Sequence, residues 1–94
     1  MKIIVKRLIR EGKLDEVIKA YEELVELTRK EEGCIAYELC QDEKDVRRLA
    51  VIEEWENQEV LDKHKNSQHY TRLLPIINEL TEMKSNVERY NKLI

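Results

Sequence analysis

The sequence predicts a single α+β domain of ferredoxin-like pattern, an antiparallel four-stranded sheet with helices on one face. Segments of strand-like and helix-like apolar spacing follow one another in the order strand, helix, strand, strand, helices, strand, the split βαβ arrangement. The 94 residues contain no linker, repeat or low-complexity stretch, and with two glycines and one proline there is little punctuation for a second unit, so residues 1–94 are expected to fold together. The first three strand segments are apolar on both parities, so both faces of the sheet are expected to be covered.

Residues 2–9 mix Ile3, Val5 and Ile9 on one parity with Ile4 and Leu8 on the other, and Gly12 punctuates the strand. From Leu14 the apolar positions Val17, Ile18, Tyr21, Leu24, Val25 and Thr28 keep the spacing of a helix with one buried stripe. Gly33 is expected to end that helix as a left-handed cap. Residues 34–41 form the second strand, with Cys34, Ala36 and Cys40 facing one way and Ile35, Tyr37 and Leu39 the other. The polar segment 42–45 is a turn into a third strand over 47–56, which makes the two strands a hairpin. Asn57 is a good N-cap for a short helix carrying Val60, Leu61 and His64 on one face, and Ser67 caps another carrying Tyr70, Leu73 and Leu74. Pro75 is expected to kink or end it, and 82–90 is expected to be the last strand.

Helices on one side leave the other face of this sheet uncovered. The economical cover is a second copy packed face to face, and a homodimer is expected on that ground.

Composition excludes several partners. The 17 basic and 20 acidic side chains are interspersed and sum to −3, with no basic face interleaved with aromatics, so nucleic acid is not expected. The longest apolar runs, residues 3–5 and 49–52, fall far short of the ~20 residues a membrane helix needs. Lys6 and Arg7 break the start of the chain as a signal peptide, and a cytoplasmic location is expected. Cys34 and Cys40, six apart on one strand, lie about 20 Å from each other and cannot form a disulfide. No sequence-local metal motif is visible, and with glycine at only two positions no phosphate-cradling loop can be built.

The side chains left to do chemistry are Trp55, His64, His69 and the tyrosines Tyr21, Tyr37, Tyr70 and Tyr90. The histidines are five apart, which does not align two ligands on one helical face. Each has a plain structural role open to it, His64 near a helix C-terminus and His69 in a first turn. Tyr21 belongs to the packed stripe of its helix, and Trp55 at a strand end suits a core or an interface. Glu53 and Glu54 point to opposite faces, and the inward one needs a partner such as Arg7.

Residues 29–39, with Glu-Gly-Cys-Ile-Ala-Tyr at 32–37, then Glu53-Glu54-Trp55-Glu56, His64 and Ser67-Gln68-His69-Tyr70, together resemble the antibiotic biosynthesis monooxygenase (ABM) family, close to its quinol monooxygenase-like members. The resemblance spans essentially the whole chain and implies a dimeric α+β barrel. It implies oxidation of quinol-like or phenolic small molecules by dioxygen with no flavin and no metal, because a phenolate can itself reduce dioxygen once a dry pocket and a proton acceptor are supplied. Carried onto this sequence, Trp55 stacks on the substrate ring, His64 or His69 accepts the phenolic proton, and Tyr37 and Tyr70 contribute to substrate binding.

Departures from the family pattern qualify this. Glu32 stands where a proline usually precedes the glycine, Tyr70 where a phenylalanine is usual, and no phenylalanine occurs at all, which points to a smaller or more polar ligand. Haem-degrading relatives carry an asparagine near Lys6 and Arg7, and a histidine where Lys65 stands, so the pattern weakens a haem reading. The competing expectations are a small-molecule isomerase, with Arg47, Arg48 or Lys63 holding an anionic group, and a non-catalytic dimeric ligand-binding module.

Overall fold

The computed structural model describes residues 1–94. The elements are β1 (Lys2–Ile9), α1 (Leu14–Thr28), β2 (Cys34–Gln41), β3 (Arg48–Trp55), α2 (Gln58–Lys65), α3 (Gln68–Glu79), β4 (Thr81–Lys84) and β5 (Glu88–Tyr90). All pairings are antiparallel, in the order β2-β3-β1-β4, and β5 also pairs with β1. This is the expected α+β ferredoxin-like sheet. The last strand differs from expectation. It is two short strands, with β4 on the Arg7–Ile9 end of β1 and β5 on Lys2–Ile4, separated at residues 85–87.

Alternation along the sheet separates its two faces. Ile3, Val5 and Arg7 lie opposite Glu53, Val51 and Leu49 in register, and with Ile9, Tyr37 and Trp55 they face the helices. The helices answer with Val17, Tyr21, Leu24, Leu61, Leu73 and Ile77, every one buried. The other face carries Ile4, Leu8, Ala36, Cys40, Ala50 and Ile52 among Lys2, Lys6, Glu38 and Glu54, with Ile52 39% exposed and Met83 of β4 66% exposed.

Local chemistry sets the element ends. Asn57 Oδ1 accepts from the Val60 amide at 3.0 Å and Ser67 Oγ from the Tyr70 amide at 3.3 Å, both caps where the sequence places them. Three expectations are corrected. α1 ends at Thr28, and Gly33 lies four residues beyond its Arg29 cap, in the turn that enters β2 with φ +83°. α3 continues through Pro75 to Glu79, since a proline costs one amide donor and the rest of this helix is held by buried Leu73 and Ile77. In β2 the register shifts between Cys34 and Ala36, so Cys34 opposes Trp55 and packs on the core, while Ile35 is 56% exposed and does not share the face of buried Tyr37. Cys34 and Cys40 are both free thiols. No helix is long and apolar enough to cross a membrane.

Candidate active site

A missing side chain brings the site together. A Cβ on Gly33 would sit 2.6 Å from the methyls of Val60, so glycine lets the β2 turn and α2 approach closely, and its positive φ reverses the chain there. Glu31 lies in that same turn, and His64 stands one helical turn after Val60 on α2. The result is a contact of 2.6 Å between His64 Nδ1 and Glu31 Oε2. Ser67 then starts α3 while its hydroxyl donates to the His64 carbonyl at 2.6 Å, and the first turn of α3 returns His69, whose Nε2 lies 3.2 Å from the same Glu31 oxygen.

Aromatic rings surround His64. Centroid distances are 4.7 Å to Trp55, 4.9 Å to Tyr70, 5.4 Å to Tyr37 and 6.2 Å to His69, with both tyrosines edge-on. Tyr37 also meets Trp55 edge-on at 6.4 Å. A carboxylate only accepts, so the Nδ1 that faces Glu31 carries the proton and Nε2 is left with its lone pair. That Nε2 is buried and has no hydrogen-bond partner. Burial lowers the pKa of His64 below the ordinary imidazole value, and the Glu31 carboxylate opposes the shift. Burial pushes the Tyr37 hydroxyl well above its usual value and raises Tyr70 as well.

Beside His64, between sheet and helices, is a cavity of about 140 Å³. Ile3, Val51, Leu24, Leu61 and Leu74 give it apolar walls, and His64, Tyr37 and Tyr70 all line it. Trp55 and His69 do not. Trp55 is fully buried against the far side of the site, where its indole N–H donates to Glu53 Oε1 at 2.9 Å, so it backs His64 instead of presenting a face to the cavity. The partner of Glu53 is therefore Trp55. Arg7, expected in that role, donates instead to Asn78 Oδ1 at 2.8 Å and Thr81 Oγ1 at 3.0 Å. Of the cations expected near an anionic group, Arg47 pairs with Glu82, Arg48 with Asp45 and Lys63 with Glu59, and none lines this cavity.

The residue that sequence reasoning missed is Glu31. It sits in a run of charges, Arg29-Lys30-Glu31-Glu32, that reads as solvated surface, and only its place just before a strand glycine hinted otherwise. Glu31, His64 and His69 offer three ligand atoms within 4.8 Å of one another. Two imidazoles and a carboxylate suit zinc or ferrous iron, so these are the residues that could hold a divalent metal.

Residues 1–74 match the family model described as antibiotic biosynthesis monooxygenase. The chain belongs to the antibiotic biosynthesis monooxygenase family. It is 36% identical over 85 residues to uncharacterized protein YjcS of Bacillus subtilis (strain 168), covering 86% of this chain and 79% of that protein. A crystal structure described as an antibiotic biosynthesis monooxygenase superposes with TM-score 0.93 at 38% identity, over 99% of this chain and 98% of the other. A protein of unknown function from Bacteroides thetaiotaomicron, described as a possible oxidoreductase, gives TM-score 0.85 at 32% identity over 93% and 90%. The ABM family match ends within α3, so the strands that bring Lys84 and Arg89 to the cavity lie outside it.

Proposed function

We propose that this protein is a monooxygenase that oxidises phenolic or quinol-type small molecules with dioxygen, with His64 as general base. The observation that carries the reading is the state of His64: buried on the cavity wall, Nδ1 held by Glu31 at 2.6 Å, Nε2 without a partner. A phenol bound against Tyr37 and Tyr70 passes its proton to Nε2, and Glu31 stabilises the imidazolium that forms. The phenolate is electron-rich enough to reduce dioxygen. One oxygen atom enters the ring, the other leaves as water, and the substrate supplies every electron, so no organic cofactor enters the balance. The apolar walls keep water from the reduced oxygen intermediates.

In this scheme Trp55 is a positioning residue. Its bond to Glu53 fixes an indole behind His64 and restricts the imidazole to one plane. His69 Nε2 lies 3.2 Å from the same Glu31 oxygen without a hydrogen bond, close enough to form an ion pair with it when protonated. The open face of the sheet, with Ile4, Leu8, Ala50 and Ile52, supports a homodimer in which a second copy covers it.

The test is oxygen uptake by chelator-treated protein with a hydroquinone, compared with buffer alone. We expect uptake above the buffer rate and about a 100-fold loss of turnover in His64→Ala. A rate equal to buffer would leave an isomerase or a ligand-binding module on the same scaffold. Full turnover in the variant would remove His64 as the base.

A further inference from the structure

Four cations line the His64 cavity: Arg7, Lys65, Lys84 and Arg89. None of them makes an ion pair, although salt bridges hold eight Lys and Arg side chains elsewhere in the chain. The one carboxylate on the cavity wall, Glu53, is occupied by the Trp55 indole. Arg7 and Lys84 are direct cross-strand partners on β1 and β4, an opposition of like charges that costs stability unless something between them is negative. Arg7 is itself buried, and while its Nη1 serves Asn78 and Thr81, its Nε is buried with no partner. Lys84 is exposed over most of its length, but partial desolvation at the cavity mouth, followed by the positive charge of Arg7 and Lys65, disfavours its protonation. The cations are also asymmetrically placed. Lys65, Lys84 and Arg89 are exposed and so mark the mouth, whereas His64, Tyr37 and the apolar walls lie within.

Size gives a second constraint. A cavity of about 150 Å³ is enough to hold one benzene ring, and the volume here is about 140 Å³. The volume matches a single ring better than a fused polycyclic phenol.

We propose that the ligand of this cavity is a single-ring phenol or hydroquinone bearing an anionic substituent, carboxylate or phosphate, with the ring beside His64, Tyr37 and Tyr70 and the anion held among Arg7, Lys65 and Lys84. The phenolic half of this statement rests on the function proposed above. The anionic half rests on the cations alone. Binding places negative charge between Arg7 and Lys84, supplies an acceptor to the orphaned Arg7 Nε, and orients the opposite end of the ring toward the base.

The experiment is titration calorimetry without oxygen, using hydroquinone, 2,5-dihydroxybenzoate and 4-hydroxyphenyl phosphate as probes. The expected result is that at least one anionic probe binds about tenfold or more tightly than hydroquinone. That preference should fall several-fold in Lys84→Gln and further in the Lys65→Gln/Lys84→Gln double variant. Both lysines are exposed, so the test does not depend on altering buried Arg7. The two anionic arms distinguish a carboxylate from a phosphate ester. Equal affinity for all three probes, no measurable binding of any, or a preference unchanged in the double variant would overturn the inference. Tight binding of an anionic probe with no oxygen uptake afterwards would sink the monooxygenase reading and leave the anion site standing. Oxidation of hydroquinone without anion preference would do the reverse.

Discussion

The Trp55 indole donates at 2.9 Å to Glu53, its neighbour two positions earlier on the same face of β3, so the largest aromatic side chain and the one acidic side chain on the cavity wall are a single buried unit. Burial raises the pKa of Glu53 and the indole N–H lowers it, with burial the larger effect. A carboxyl whose folded-state pKa is raised binds its proton more tightly in the native protein. Its contribution is therefore most favourable below the unfolded value of 4.5 and is lost as pH rises through the folded value. Glu53→Gln keeps an acceptor for the indole and removes the buried charge. The variant should melt higher than wild type near neutral pH, and the gap should close below about pH 4. Thermal denaturation of both proteins across that range tests it, and a gap independent of pH would contradict the assignment.

Glu31 and His64 make a prediction about activity. A base must be unprotonated, so turnover should fall as pH drops through the His64 pKa, which burial holds below the ordinary 6.5. Glu31 pulls that pKa upward, and its removal should let it fall further. In Glu31→Gln the acid limb of kcat/KM should move to lower pH while kcat at the plateau drops, because the imidazole loses its fixed orientation. An unmoved limb would separate Glu31 from the titrating group.

Gly33 and Gly12 both have positive φ, yet only Gly33 is crowded. A methyl there meets Val60 at 2.6 Å, whereas nothing lies within 4 Å of one on Gly12. Gly12→Ala should cost the conformational strain alone, about 1 kcal/mol. Gly33→Ala should cost about 1–3 kcal/mol more, through the overpacked contact with α2, and lower Tm by several degrees beyond the first variant. Adding Val60→Ala to Gly33→Ala should recover part of the loss, which a double-mutant cycle measures.

The open face of the sheet gives the fourth. Ile52 lies at its centre, paired with Ile4 on one side and Glu38 on the other, and is partly exposed. Sedimentation should show a dimer at micromolar concentration, and Ile52→Lys should shift it toward monomer while leaving the helix-side core intact. A monomeric wild type would remove the second copy from the account.

Much of this was legible in the sequence because the signals were local. The stripe from Leu14 to Thr28 and the caps Asn57 and Ser67 each depend on residues within a few positions, and each stands where expected. Tyr37, His64 and Tyr70 line one cavity, whereas Trp55 and His69, named with them from the sequence, do not. Errors arose where a distant element decided. Arg7 takes partners 71 and 74 residues away, which no spacing on β1 reveals. Gly33 serves the approach of α2, not the end of α1. Glu31 looked like surface because its partners lie on two later helices.

β1 is hydrogen-bonded along one edge to β3 and along the other to β4 and β5, so the strand nearest the start of the chain receives its final neighbours from residues 81–90. Such distant pairings demand large loop closures before they reward the chain, and assembly of this sheet should be slow relative to its helices. Until the tail arrives, the β4 side of β1 is an unzipped edge whose backbone N–H and C=O groups are open to a strand from another copy.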